Sequence, residues 1–267
     1  MVVLEQTLFG FVRYRKVFFP TLEEINSLTA KLAVNDVLRF QYDKGEPFAS
    51  PYLVESFPVS SVCIDLTQDV DAILKGMDRR TARYLRAAEK LPGQIEVKTN
   101  TEAVIEHYLE VYNDFARAKG RVPKLSRRLL DLYRPVSDIF VLYFEGRAMC
   151  AHLTVKDDSS KRLYSMFGGN RRLESKAAAD LCGKLERYLF WHEIRSYQAR
   201  GMELYSLGGI AHEDVNAPFN QFKLRFGGIV LTEESYTFAG VPAIGRFGLA
   251  AYKKLRNSRA GKVLGRV

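Results

Sequence analysis

The sequence predicts an α+β fold in which helices pack on a mostly antiparallel sheet. Three observations carry this. First, apolar runs at 139–144, 149–156 and 162–167 are separated only by Glu145-Gly146 and by Asp157-Asp158-Ser159-Ser160. Short polar or glycine joints between such runs make an antiparallel meander. Second, a helix at 177–200 follows, with Leu181, Leu185, Leu189 and His192 on one side and Gly201 as its C-terminal cap. Third, a short strand at 204–207, a short helix at 217–226 and a long strand at 229–238 complete this half.

Upstream, strands at 13–19 and 38–42 flank a helix at 21–32, whose start carries the capping-box pattern Thr21-x-x-Glu24. Residues 47–56 hold Pro47, Pro51, Ser50 and Ser56 and read as loop, and a strand follows at 59–66. One helix is expected over 70–90, because Val70, Ile73, Leu74, Met77, Tyr84, Leu85 and Ala88 recur at helical spacing. Its opposite face carries Arg79, Arg83, Arg86 and Lys90, which form a single basic stripe. Pro92-Gly93 ends it, a strand follows at 95–99, and helices at 101–119 and 126–133 break around Pro123.

With 267 residues, 47% of them hydrophobic, the chain can bury a sizeable core and is not a disordered polymer. No window approaches the roughly 18 consecutive apolar residues of a membrane span. Residues 1–11 lack the basic, apolar and small-residue pattern of an export signal, so a cytoplasmic protein is expected. Cys63, Cys150 and Cys182 are far apart and odd in number, which suits reduced buried thiols. The net charge is +9, and seven basic residues (Arg246, Lys253, Lys254, Arg256, Arg259, Lys262, Arg266) sit without any acidic one in 246–267. Such a tail suits RNA, an acidic carrier protein or an anionic membrane surface. A solvated tail with no partner is the competing reading.

The chain has no P-loop, Gly-x-Gly-x-x-Gly, HExxH, Cys-x-x-Cys or Gly-x-Ser-x-Gly pattern. His107, His152, His192 and His212 show no metal-ligand spacing, so no metal is expected and each takes an individual structural or surface role. Two regions stand out. Asp78-Arg79-Arg80-x-x-Arg83-x-x-Arg86 presents planar guanidinium forks suited to phosphates, or else a solvated helix face. Tyr205-Ser206-Leu207-Gly208-Gly209 is followed, after a loop, by Phe219-Asn220-Gln221-Phe222-Lys223-Leu224-Arg225-Phe226-Gly227-Gly228. A strand ending in Gly-Gly lets a ligand approach the backbone, and the short helix after it can aim its first amides at an anion. Lys223, set among Phe222, Leu224 and Phe226, can stabilise an oxyanion without acting as a base. An ordinary turn with a surface lysine is the alternative.

These motifs resemble those of the FemABX-type aminoacyl and peptidyl transferases. Arg83-Tyr84-Leu85-Arg86-Ala87-Ala88-Glu89-Lys90 is similar to that family's Arg-x-x-Arg-x-Ala-x-Lys helix. Leu207-Gly208-Gly209 and Phe222 to Gly228 match its Gly-Gly strand end and Phe-Lys-x-x-Phe-Gly-Gly motif. The resemblance covers roughly 59–238. It implies a GNAT-like fold, with a GNAT-like acyltransferase domain over 91–240 and a basic C-terminal tail over 241–267; full-length relatives usually carry two similar GNAT-like halves, and this chain departs from them in having only a short, reduced N-terminal α/β half over 1–90, which includes the arginine helix. It further implies transfer of an aminoacyl group from aminoacyl-tRNA to an amine, on a cell-wall precursor or a specialised metabolite, by direct attack and without a covalent enzyme intermediate.

In that reading Lys223 is the catalytic residue. Phe222, Arg225, Gly208, Gly209, Tyr205, Arg79, Arg83 and Arg86 bind substrate, and no cofactor is needed besides the co-substrate. The acetyl-CoA pyrophosphate loop of GNAT enzymes is not evident, since Gly168-Gly169-Asn170-Arg171-Arg172 is a poor substitute. His212, Glu213 and Asp214 lie between the two glycine pairs as undifferentiated candidates for a base. Two other functions fit the same residues. One is an N-acyltransferase using acyl-coenzyme A or an acyl carrier protein. The other is a non-catalytic RNA- or membrane-binding protein on a GNAT-like scaffold.

Overall fold

In the computed structural model, local sequence signals set most element ends. The structure describes residues 1–8, 10–42, 48, 50–120, 122–210, 217–243 and 246. The elements, in chain order, are β1 (Val2–Leu8), β2 (Val12–Phe18), α1 (Leu22–Ala30), β3 (Asp36–Tyr42), β4 (Leu53–Asp65), α2 (Val70–Gly76), α3 (Arg79–Glu89), β5 (Ile95–Thr99), α4 (Glu102–Lys119), α5 (Arg127–Tyr133), β6 (Ser137–Phe144), β7 (Arg147–Asp157), β8 (Arg162–Asn170), α6 (Lys176–Ala199), β9 (Leu204–Ile210), α7 (Pro218–Leu224) and β10 (Ile229–Ala239). The capping box at α1 is present in both directions: Thr21 Oγ1 accepts from Glu24 N, and Glu24 Oε2 accepts from Thr21 N at 2.7 Å.

The helix expected over 70–90 is two helices. Gly76 closes α2, and the Asp78 carboxylate accepts from Thr81 N at 2.7 Å to start α3. A helix-breaking glycine followed by an N-cap aspartate outweighs the unbroken apolar spacing. Strand β1 was not expected, and β4 starts in the segment read as loop, of which Pro47 lies outside the described residues.

The chain forms two compact units, Met1–Ser60 with the described residues from Leu231 onward, and Ser61–Val230. This division differs from the boundary expected at residue 90. Helix α3 falls inside the second unit because its Thr81, Leu85 and Ala88 face is buried and packs on α6.

The first unit has strand order β1-β2-β3-β10-β4. Strands β2 and β3 are parallel across α1, while β1 and β10 run antiparallel to their partners β2 and β3. Its core is Val17, Ile25, Leu38, Phe40, Phe48, Tyr236 and Phe238. Buried Asp36 takes two hydrogen bonds from Arg13, at 2.6 and 2.7 Å, and one from Arg15 at 2.9 Å.

The second unit has order β4-β9-β8-β7-β6-β5. The meander β6 to β8 is antiparallel, as expected; β5 adds antiparallel to β6 after two intervening helices, and β9 returns parallel to β8. Helix α4 packs against β6, β7 and β8, and α6 packs against β6 and β7. Among the described residues no helix is long and apolar enough to cross a membrane.

Between α6 and the sheet lies a buried charged network. His152 Nδ1 is 2.8 Å from Glu193 Oε1 and its Nε2 is 3.2 Å from Glu186 Oε1. Asn170 donates to Glu186 at 2.9 Å, and the Tyr205 hydroxyl donates to Glu193. Burial alone would lower the histidine pKa, but the two carboxylates overcome it and raise it to about 10. His152 is therefore a cation at neutral pH, with both ring nitrogens donating. Because its folded pKa lies above the unfolded value, its stabilisation is fully present below about pH 6.5 and is lost as pH rises through about 10. His152→Gln is expected to cost about 3 kcal/mol at pH 6, with the deficit shrinking toward pH 10. Denaturant unfolding at both pH values checks this; an equal deficit at both would show that the charge is not the cause.

Candidate functional site

The site is built where α7 docks on the start of α3. Gly227 has φ +77°, and a Cβ there would lie 2.1 Å from Gly76 O. A Cβ at Gly228 would lie 2.4 Å from Cys63 O. These two glycines let three backbone segments touch. The junction is completed by Asp78 N donating to Arg225 O at 3.0 Å and by an Arg225–Asp78 ion pair at 3.4 Å. The arginine helix and the Phe-Lys motif, some 140 residues apart in the chain, thus share one corner.

Docking turns Lys223 inward. It is 7% exposed, and its Nζ donates to Gly209 O at 2.9 Å. The ring of Phe219, itself 58% exposed, lies 4.1 Å from Nζ. Gly208 makes the close approach possible: its φ is +86°, and a Cβ would stand 3.0 Å from Ser165 O and 3.1 Å from Lys223 Nζ. Parallel pairing of β8 with β9 stops at Tyr164 and Ser206, while β8 remains paired with β7 as far as Asn170. Lys223 sits where that pairing has ended. Burial lowers its pKa to about 7, and among the described residues no carboxylate pairs with it.

Beside it lies an arginine cluster. Arg187, on α6, is 7% exposed, and its guanidinium is 4.6 Å from the Tyr84 ring centroid and 4.8 Å from that of Phe222. Nη1 donates to Gly183 O, and Nε has no partner. Burial pushes its pKa down; Tyr84 opposes this, and Arg80, Arg172 and Arg225 reinforce it. Arg80 and Arg83 also lie over the Tyr84 ring, each at 5.8 Å. Arg187 carries no motif in the sequence. It sits within an otherwise regular amphipathic helix, and nothing local marks it as facing inward.

The expected site residues separate into three groups. Lys223, Phe222, Gly208, Gly209 and Arg225 are brought together as described. Arg79, Arg83 and Arg86 are exposed along α3, away from its buried face. Tyr205 corrects the expectation: it is 0% exposed, and its hydroxyl is spent on Glu193 and Thr154. It belongs to the core and has no face to offer a substrate. The start of α7 is also a weaker anion site than expected, because Pro218 there has no N–H.

Arg171, in the loop before α6, bonds Ala148 O, Asp114, Glu174 and Glu110, so that loop is held by protein groups. His212, Glu213, Asp214 and the tail beyond Arg246 lie outside the described residues. Among the described residues no group of His, Cys, Asp and Glu is placed to hold a metal ion.

No protein family matches the sequence, and no curated protein does either. Solved structures do match. FemX aligns over 96% of this chain and 86% of its own, with TM-score 0.59 and 10% identity. The C-terminal domain (DUF2156) of a protein assigned as a lysylphosphatidylglycerol synthetase from Agrobacterium fabrum aligns over 95% and 84%, with TM-score 0.58 and 13% identity. L-PGS from Bacillus licheniformis aligns over 93% and 84%, with TM-score 0.54 and 11% identity. The fold is GNAT-like and FemX-like, a mostly antiparallel sheet flanked by helices, as the sequence resemblance implied.

Two stability predictions follow from this geometry. Gly227→Ala combines a positive φ with a backbone clash and is expected to destabilise the protein by more than about 2 kcal/mol in denaturant unfolding. Lys223→Met is expected to stabilise it by roughly 2 to 4 kcal/mol below pH 7, because a buried charge with no carboxylate partner among the described residues is removed. The folded lysine pKa lies below the unfolded one, so the cost of the charge is present below about pH 7 and relieved as pH rises toward 10.5. Thermal unfolding of both proteins at pH 6 and pH 10 would reveal the convergence.

Proposed function

We propose that this chain is an acyltransferase that moves an aminoacyl group from aminoacyl-tRNA to an amine acceptor by direct attack. The observation that carries the reading is Lys223: a buried, aromatic-walled ammonium beside a Gly-Gly strand end, with its position fixed by Gly209 O. The motif resemblance and the FemX-like fold agree with it.

The acceptor nitrogen attacks the ester carbonyl carbon, and the C=O pair moves onto oxygen. Lys223 Nζ donates to that oxyanion. Collapse restores the carbonyl and expels the ribose hydroxyl of the tRNA, which takes up a proton as the amine gives one to solvent. A developing oxyanion favours the charged lysine, which burial otherwise holds near neutrality. Phe222 walls the carbonyl site, and Gly208 and Gly209 let the substrate approach the backbone. The exposed Arg79, Arg83 and Arg86 meet tRNA phosphates, and the basic tail adds to that attraction. The reading sets the protein in the cytoplasm, where charged tRNA is made.

Purified protein should transfer from, or deacylate, charged tRNA, with binding that weakens steeply as salt rises. Lys223→Met is expected to lower turnover by about 10²–10³ while leaving the fold intact, and an unchanged rate would remove its assigned role. Wild-type kcat/KM should fall as pH rises above about 7 in the free enzyme, since the protonated lysine is the working form. Turnover with acyl thioesters but not with charged tRNA would replace this donor by coenzyme A or a carrier protein.

A further inference from the structure

The His152 network shows how this protein treats a buried charge that serves the fold: two carboxylates face it. Arg171 is treated in the same way, with three carboxylates. Arg187 is not. Its guanidinium is 7% exposed, lies between two aromatic rings and spends Nη1 on a helix carbonyl. Nε has no partner, and no carboxylate pairs with Arg187 among the described residues.

The charges that do surround Arg187 have the same sign: Arg80, Arg172 and Arg225 all act against it. Arg225 pairs with Asp78 at the long distance of 3.4 Å, and Arg172 feels the Glu186 carboxylate, which His152 already engages. Arg172 Nε bonds the neutral Asn170. A buried cation among three others is costly unless an anion completes it. The rings of Tyr84 and Phe222 offset part of that cost and hold the guanidinium plane in one orientation.

We propose that Arg187, clamped between Tyr84 and Phe222, is the floor of a subsite for a phosphate ester of the acyl donor, with Arg80, Arg172 and Arg225 as its rim. The place of the subsite is set by the chain itself. Phe222 touches Arg187, and Lys223, the next residue, holds the carbonyl site. A donor whose ester sits at Lys223 therefore presents its nearest phosphate to the arginines. This deepens the reading above and rests on it for the donor's identity. The phosphate subsite itself is testable without any turnover.

The test uses the whole protein and three probes at matched ionic strength: the dinucleotide CpA, coenzyme A and inorganic phosphate. CpA is expected to raise the thermal midpoint of the wild-type protein and to bind measurably by calorimetry. Arg187→Gln should weaken CpA binding by about 10–100-fold. Arg187→Lys should recover only part of it, because the bidentate fork is lost. The double variant Arg117→Gln, Lys119→Gln, at the exposed end of α4, should change CpA affinity by less than about threefold.

Stabilisation by coenzyme A but not by CpA supports the phosphate-ester subsite and removes the tRNA donor. Response to inorganic phosphate alone, or to no probe, overturns the subsite even if Arg187→Gln fails to fold. Equal CpA affinity in wild type and Arg187→Gln overturns it as well. Loss of turnover in Lys223→Met with CpA binding intact separates the two roles.

Discussion

The candidate site depends on one close approach of backbone to backbone, Gly227 against the carbonyl of Gly76. No side chain could occupy that space, and the φ of +77° is one that L residues rarely adopt. The contact fixes the end of α7 on the start of α3, and the Asp78–Arg225 bonds secure it. Everything else follows from the orientation α7 then has. Lys223 turns toward Gly209, Phe222 turns toward α6, and Arg80, Arg172 and Arg225, from three other segments, gather around Arg187.

Charge burial divides the second unit into two regimes. Around His152 and Arg171 every cation meets carboxylates, so these groups tie helices to the sheet. Around Lys223 and Arg187 the cations meet carbonyls and rings. Carbonyls and rings satisfy geometry but do not neutralise charge. Cations that lack carboxylates among the described residues hold electrostatic free energy for an anion that develops or arrives, which is what the proposed roles of Lys223 and Arg187 require. Phe190 lies at the boundary between the regimes, with its ring 4.3 Å from that of His152 and 5.9 Å from that of Phe222.

Particular residues show which signals a sequence carries. Thr21 with Glu24 announced its helix, because a cap is a local bond between residues three apart. The break at Gly76–Asp78 was equally local but was masked by an apolar repeat that runs through it. Tyr205 was assigned to the site by adjacency to Gly208-Gly209. Strand geometry sends alternate residues to opposite faces, and the buried partner Glu193, twelve residues away on α6, claims its hydroxyl. Arg187 was invisible for the opposite reason. Its local pattern is that of any polar residue on an amphipathic helix, and its burial arises only when Tyr84 and Phe222 close over it.

The sequence by itself determined the fold class, the meander and the long helix and marked the Phe-Lys segment as the candidate site, because periodicity, turns, caps and Gly-Gly pairs act over a few residues. It also placed Lys223 in an apolar setting through its immediate neighbours. Only the tertiary structure decided that the arginine helix and the Phe-Lys motif meet, that Tyr205 faces the core and that Arg187 is a buried cation with no carboxylate partner among the described residues. These are relations between segments separated by tens to more than a hundred residues. Their physical content lies in distance and desolvation, which exist only once the chain has folded.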